Sequence, residues 1–447
     1  MKTILISSFH TLVSRNILNT PVLKMLQKEA RVVVLAPYFK RDYFLKNFGS
    51  EKVEIVGLKN TLTAADLFFR FWALAASKTR GLYIKRRAKL YQEGNLFLFL
   101  SAVLPSRLGV ASRSGIKLLR WCNRLFFGRR NGPYRDLFNN YKPDLVFSTD
   151  IQNELDVRML EEAKHRGIKT VGMIRSWDNL STKGVIRVVP DILLAHNEII
   201  KGEADVWNFI PDDKIISVGI PHHDRYQTQP SVSRQEFLKK FGFRNINRRL
   251  ILVAPVGNRY IRENKLDQNI LEILSKFDAN VLVRLPPSDH VSYNEINNPR
   301  SQIIFDRTGS RFEGKNIKLN EVDESSDVGL WCSLWYADVV VTGQSTIALD
   351  AALCGKGSVI VDFDDAPRVY WDSVRRYYDY EYYDNIRKTG GVIMAKSPAE
   401  LVILVKKYLA DPVFNRDARN KMILEQEYRL DGRSSERLSN VLLKELK

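Results

Sequence analysis

Short, wholly apolar runs alternating with helical patterning constrain this chain more than any other feature. Residues 3–9 open the series, with Ile4, Leu5 and Ile6 at the centre. RVVVLAP (31–37), VEIVGL (53–58), DLVFS (144–148), IKTVGMI (168–174), DILLAH (191–196) and KIISVG (214–219) continue it. After a polar passage, HHDRYQTQPSVS (222–233), it resumes with RLILVAP (249–255), ANVLVRL (279–285), NIKLN (316–320), ADVVVTG (337–343) and GSVIVDFD (357–364). Strands apolar on both faces belong to a parallel sheet covered by helices on each side. Helical patterning fills the intervals. A helix is predicted over 14–29, where Ile17, Leu18, Val22, Met25 and Leu26 share one stripe. Others are predicted over 153–165, after Ser233 with Glu236 in the capping-box position, over 264–277, and from Thr346. Beyond Pro398 the pattern is helical to the end, with breaks at Asp411-Pro412 and Asp431-Gly432. The implied class is α/β: two facing Rossmann-like domains.

At 447 residues the chain has room for two or three domains, at about 150 residues each. Hydrophobic residues at 45% and charged residues at 27% exclude a disordered, collagen-like or polytopic membrane protein. The net charge of +18 is uneven: residues 61–135 hold 15 Lys and Arg against 2 Asp and Glu, a local +13, leaving +5 for the rest. An anionic partner is implied. Cys122, Cys332 and Cys354 are far apart and form no CxxC, so a reducing cytosol is the expected compartment. MKTILISSFH lacks the long apolar core and cleavage site of a signal peptide, and no uncharged apolar run of about 18 residues predicts a spanning helix.

The densest motif is ADVVVTGQSTIALDAALCGK, residues 337–356. An apolar strand runs into Thr342-Gly343-Gln344-Ser345-Thr346, a helix follows, and Gly355 suits a left-handed cap. Gly343 permits close approach of a ligand, and the first helical turn offers N–H groups and the positive end of the dipole to an anion. Ser345 and Thr346 add hydroxyls. Asp350, one turn on, can reach a group beyond the phosphates such as a ribose diol. The plain alternative is a strand–loop–helix joint capped by Ser345.

The layout resembles a GT-B glycosyltransferase. TGQSTIALDAALCGK resembles the nucleotide-diphosphate segment of the CDP-glycerol glycerophosphotransferase group and is similar to that of the UDP-N-acetylglucosamine 2-epimerases. DGRSSERL (431–438) resembles the tail of the glycerophosphotransferases. By that resemblance Gly343, Gln344, Ser345 and Thr346 hold the donor diphosphate and Asp350 its ribose. One departure stands out. Both families usually carry a His in an Arg-x-His-Pro-like turn after the second strand of the C-terminal half; here the run is VRLPPSDH (283–290), with Pro286 in that place and His290 displaced. Arg284 remains a candidate phosphate-binding cation.

Other candidates cluster after strands of the first half. His10 follows the first strand, where a GT-B loop borders the cleft, and is a candidate general base; a solvated loop His is the alternative. Arg15 and Asn16 are candidates for an anionic acceptor. In RSWDNLSTKG (175–184), Arg175 is a further anion ligand, Trp177 a stacking face and Asp178 a second candidate base, with turn capping as the alternative. Asp150 and Glu154 flank the preceding strand end, with Glu154 complementing a helix dipole. His222-His223-Asp224 reads as a hinge, since a metal site would need ligands the sequence does not offer. His196 borders the same strand ends. Asp362-Phe363-Asp364-Asp365 looks like a metal-binding DxD but sits where that reading makes no sense, so no metal is expected.

The basic stretch 61–135 interleaves Lys85, Arg86 and Arg87 with Phe68, Phe69, Phe71, Trp72, Phe97 and Phe99. It suits an anionic membrane surface, a solvated insertion or, last, nucleic acid, for which no recognisable module appears. The expected organisation is an acceptor domain at 1–220, a linker at 221–232, a nucleotide-donor domain at 233–398 and C-terminal helices at 399–447. The expected function is a nucleotide-sugar or CDP-alcohol dependent transferase in cell-surface polysaccharide or glycolipid biosynthesis. It would need no cofactor beyond its activated donor, use a lipid-linked or polysaccharide acceptor, bind no nucleic acid, and work in the cytoplasm, peripheral at the inner face of the membrane. A 2-epimerase and a non-catalytic nucleotide-binding scaffold are the alternatives.

Overall fold

The computed structural model describes residues 1–59, 61–127 and 134–447, so residues 128–133 of the basic stretch lie outside the described residues. The chain divides into two compact units. Unit one comprises Met1–His222, Glu427–Arg429 and Arg433–Lys447. Its strands are β1 (Thr3–Ser7), β2 (Arg31–Pro37), β3 (Val53–Leu58), β4 (Leu145–Ser148), β5 (Lys169–Met173), β6 (Ile192–Ala195) and β7 (Ile215–Ser217). They pair parallel in the order β3-β2-β1-β4-β5-β6-β7, with Ile4 opposite Val32 on one side and Leu145 on the other. Around them lie α1 (Thr11–Val13), α2 (Pro21–Glu29), α3 (Arg41–Phe48), α8 (Arg135–Tyr141), α9 (Glu154–His165), α10 (Asn179–Thr182), α11 (Glu198–Asn208) and the last helix, α19 (Ser434–Leu446). Between β3 and β4 the insertion adds α4 (Ala64–Ala75), α5 (Arg80–Glu93), α6 (Leu96–Pro105) and α7 (Arg113–Phe127).

Unit two comprises His223–Gln426 and Leu430–Gly432. Its strands are β8 (Leu250–Ala254), β9 (Asn280–Leu285), β10 (Gln302–Arg307), β11 (Val339–Thr342), β12 (Ser358–Val361) and β13 (Ile393–Ala395), parallel in the order β10-β9-β8-β11-β12-β13. Its helices are α12 (Arg234–Lys240), α13 (Leu266–Leu274), α14 (Glu324–Tyr336), α15 (Ile347–Leu353), α16 (Glu381–Lys388), α17 (Pro398–Ala410) and α18 (Arg416–Gln426). Ser233 and Glu236 form the capping box of α12, and Gly355 ends α15 at φ +73°.

One local device recurs where a new strand joins the sheet. An Asp just before the strand accepts a backbone N–H from the first residues of its neighbour. Asp144 accepts from Thr3 at 2.7 Å, Asp191 from Thr170 at 2.8 Å and Asp338 from Leu250 at 2.7 Å. Each satisfies an amide at the sheet margin that has no ladder partner and pins the register.

Three expectations are corrected, and two strands, β10 and β13, were not expected. The helix over 14–29 is broken into a wide turn, Ser14–Leu18, and α2, which starts afresh with Thr20 as cap and Pro21 in its first turn. NIKLN is a 3-10 turn at Ile317–Leu319. The third strand on that side is β10, whose edge position and half-exposed, partly charged face hid it from an apolar-run criterion. β13 is only three residues long. The helices after Pro398 divide between the units: α17 and α18 cover unit two, while Leu438, Leu442 and Leu446 of α19 join Ile4, Leu26 and Val34 in the core of unit one. Gly219 makes room for α19, since a Cβ there would lie 2.4 Å from Ser434 Oγ.

Candidate functional site

Both sheets reverse their strand order at the centre, between β1 and β4 and between β8 and β11. The loops leaving the carboxyl ends of such strands diverge and leave room for a ligand. In unit two the loop after β11 is Gly343-Gln344-Ser345-Thr346. It lies against the loop after β8: a Cβ on Gly343 would come within 3.1 Å of Val256. Asp267 holds that second loop by accepting from the Val256 and Gly257 amides at 2.7 and 3.0 Å. Ser345 Oγ, one residue before the Thr346 cap of α15, accepts from the Ile347 amide at 3.3 Å, and Tyr383 donates to the Gly343 carbonyl at 3.3 Å. Ser345 and Thr346 are half-buried. Gln344 is 7% exposed, and neither its Oε1 nor Thr342 Oγ1 has a hydrogen-bond partner among the described residues. Buried polar atoms of that kind suit a ligand's donors.

Two expected donor ligands are engaged elsewhere. Asp350 is 3% exposed and turned inward, its Oδ1 3.1 Å from His223 Nε2. Arg284 is buried, donating to Asp306 at 2.5 Å and to the Ser326 carbonyl, so it braces β9 against β10 and α14. His290 is exposed, on a turn tied to the β8 loop through Asp289, which accepts from the Arg259 amide at 3.1 Å. Asp364 and Asp365 are consumed locally by Ser373, Val374 and Arg368.

In unit one the reversal point gathers His10 after β1, Asp150 after β4, and Arg175, Asp178, Asn179 and Lys183 after β5. Arg175 is salt-bridged to buried Asp150, and Asn179 donates to the same carboxylate at 3.3 Å. The Arg175 Nε is buried with no hydrogen-bond partner among the described residues. Lys183 donates to Asn179 at 2.8 Å, and Thr182 donates to Asp178 at 3.2 Å. Burial would raise Asp178, but Lys183 and Arg175 outweigh it and hold the carboxyl below its ordinary value. Burial, reinforced by Arg175, lowers His10 to about 3. Its imidazole is therefore neutral near pH 7. Its Nδ1 accepts from the Leu12 amide at 3.2 Å, which assigns the proton to Nε2. His10 thus presents a donor, not the free lone pair that the general-base expectation requires.

The remaining candidates are dispersed. Arg15 donates to His222 Nε2 at 3.0 Å, and Asn16 is half-buried in the same wide turn. Trp177 is buried edge-on against His196, so its face is not open for stacking. Glu154 pairs with Arg187. Arg86 donates to the Leu74 carbonyl and Arg87 lies 5.5 Å over Phe99, so neither forms a free basic face. Lys85 is exposed; desolvation lowers its pKa, Asp178 opposes that, and Arg70 and Lys89 add to it. Its helix α5 packs against α10, which follows Asp178. Periodicity could not indicate this, because α5 meets α10 only in the tertiary structure. Asp156, on α9, was also missed. Burial and the neighbouring Asp150 raise it to about 7, and it accepts from Ser7 and, at 2.9 Å, from Ser148. In sequence it is one more first-turn carboxylate.

No protein-family model matches the chain, and no curated protein matches it. Solved structures do. The UDP-GlcNAc 2-epimerase from Methanocaldococcus jannaschii is similar at 12% identity and TM-score 0.55, over 99% of this chain and 100% of that one. The UDP-GlcNAc 2-epimerase from Neisseria meningitidis, bound to UDP-GlcNAc, is similar at 14% identity and TM-score 0.51, over 99% and 100%. Arabidopsis thaliana UGT89C1 complexed with quercetin is similar at 12% identity and TM-score 0.51, over 100% and 99%. Two Rossmann-like units, each with a central reversal of strand order, and a match along nearly the whole length of such structures identify the fold of this chain as GT-B.

Proposed function

We propose that the protein is a transferase using a nucleotide-activated donor, a nucleotide sugar or a CDP-alcohol, to modify a hydroxyl of a lipid-linked or polysaccharide acceptor. The observation that carries this reading is the loop after β11. It combines a glycine in close contact with the neighbouring loop, two half-buried hydroxyls and a buried amide oxygen without a partner. The matched Neisseria meningitidis structure, of the same fold, is bound to UDP-GlcNAc. Gly343, Gln344, Ser345 and Thr346 are assigned to the donor; their donors would stabilise charge developing on the departing nucleotide. Asp350 and Arg284 support that loop and the sheet beneath it. In unit one His10 Nε2–H and Arg175 orient the acceptor, and Asp178, held ionised, receives the proton of its hydroxyl. The exposed apolar residues of α6 and α7 suit work at the inner face of a membrane.

The test is incubation of the full chain with UDP- and CDP-linked donors, with and without dolichyl-type or glycan primers. Nucleotide release that requires a primer supports the transferase. Asp178→Asn should then lower kcat at least about a hundredfold with little change in donor KM. Gln344→Ala should weaken UDP or CDP binding about tenfold by calorimetry, the worth of one buried hydrogen bond. A 2-epimerase is the second reading, favoured by the matched epimerases. A product sugar nucleotide inverted at C2 without any primer would establish it, and nucleotide binding with no turnover would favour the scaffold.

A further inference from the structure

Helices α4, α5 and α6 line an open cavity of about 270 Å³ that serves no part of the chemistry described above. Its floor is Phe71, Leu74, Leu82, Leu98, Phe99 and Ala102. Its polar lining is Lys85, Arg86, Lys89, Glu93 and Asn95. Lys89 has Glu93 at 3.6 Å, while Lys85 has no hydrogen bond or ion pair among the described residues. The volume falls just below the range of about 300–1,000 Å³ usual for compact ligands, which fits a single chain better than a nucleotide.

Two features identify the occupant. The first is the surroundings. Phe97 is 83% and Leu108 79% exposed, with Leu96, Leu100 and Leu104 also exposed along α6, and Trp121 of α7 is 57% exposed. Residues 96–127 carry five Arg and Lys and no Asp or Glu. No single helix is long and apolar enough to cross a membrane; α6 and its following turn meet α7 at 112°. An apolar, cationic surface is complementary to an anionic lipid layer. The second is where the cavity leads. Thr79 Oγ1 donates to the Ser181 carbonyl at 2.7 Å and the Val185 amide to Ala73 at 2.9 Å, so α4 and α5 are fastened to the segment that carries Asp178 and Lys183. The helix that carries Lys85 therefore lies beside the segment of Asp178 and Lys183, and the mutual influence of these three charges agrees with that.

We propose that the α4–α5–α6 cavity takes the hydrocarbon chain of a phosphorylated lipid, with its phosphate beside Lys85 and its head group directed to the Asp150–Arg175–Asp178–Lys183 cluster. This rests on the acceptor role proposed for unit one and specifies that acceptor as a lipid phosphate. Membrane-exposed α6 would deliver the chain sideways from the lipid layer.

The probe is dodecyl phosphate carrying a diazirine at the chain end, cross-linked to the full-length protein and mapped by peptide mass spectrometry. Labels are expected in the peptides that contain Phe71, Leu82, Phe99 and Ala102. They should compete away with unlabelled dodecyl phosphate and persist with inorganic phosphate or dodecanol. Ala102→Trp, which fills the floor, should lower labelling about tenfold or more, since two unburied methylenes already cost that much. Lys85→Met should lower it while leaving the circular-dichroism melt unchanged. Labels confined to Phe97 and Trp121, or competed by inorganic phosphate alone, overturn the proposal; the wild-type map decides this even if Ala102→Trp does not fold. UDP calorimetry on the same sample separates the two readings. Cavity labelling without nucleotide binding sinks the transferase and keeps the lipid site, whereas nucleotide binding without cavity labelling sinks the lipid site alone.

Discussion

Charge at the unit-one reversal point is nearly balanced residue by residue: Asp150 and Asp178 against Arg175 and Lys183, with His10 neutral among them. Such a site can orient a polar ligand without a large net field. Two titrations test the assignment. The folded pKa of His10 is below its unfolded value, so its contribution to stability is present above pH 6.5 and lost on acidification. Its imidazole NMR signals should therefore stay constant between about pH 5 and 8; a midpoint near the ordinary value would remove the neutral donor. Asp156 has the opposite sign. The folded state keeps its proton up to about pH 7, the unfolded chain releases it near pH 4, and stability is lost as pH rises between these limits. Asp156→Asn should flatten that decline, worth no more than about 4 kcal/mol, in denaturant titrations of unit-one tryptophan fluorescence. An unchanged pH slope would show that Asp156 ionises normally.

At the scale of elements, the insertion α4–α7 is docked by the Arg158–Asp66 and Asn123–Glu161 pairs, by Arg120 on the Ile186 and Asn208 carbonyls, by an apolar cluster that includes Val185, and by close backbone contacts. Gly184 makes one such close approach. Its φ is +84°, and a Cβ would lie 2.6 Å from the Ala73 carbonyl oxygen. Gly184→Ala combines backbone strain with a collision against main chain that cannot rotate away. A loss of about 1–3 kcal/mol is expected, with faster proteolysis within residues 64–127. Wild-type proteolysis would mean that the insertion is held elsewhere. The same scale explains how legible the fold was. DLVFS, DILLAH and ADVVVTG announce strands both by apolar runs and by the leading Asp that each sheet margin uses. β10 gives no such sign because, as an edge strand, it needs only one covered face.

For the whole molecule, the consequence of the chain's course is that the last helix returns to the unit that the first strand began. Leu442 is fully buried with residues of β1, β2 and α2. Leu442→Ala should cost about 2–5 kcal/mol through lost burial and a cavity. Hydrogen exchange should then quicken in β1 and β2 and stay unchanged in β8 and β11, because those strands belong to the other core. Uniform loss of protection would mean that the two units unfold as one.

Apolar runs, caps and the Gly343–Thr346 loop could be read directly from the chain, because each depends on residues within one or two turns of one another. The sequence alone therefore determined two α/β units and the candidate donor loop. Which polar side chains are free for a ligand was decided only by tertiary structure. Asp350 and Arg284 have the right chemistry and spacing, yet His223, Asp306 and Ser326 engage them. Lys85 lies in a stretch that reads as basic surface, yet its helix packs beside α10 in the unit-one cluster. A buried charge must find its partner wherever the fold brings one, and that partner can be distant in sequence.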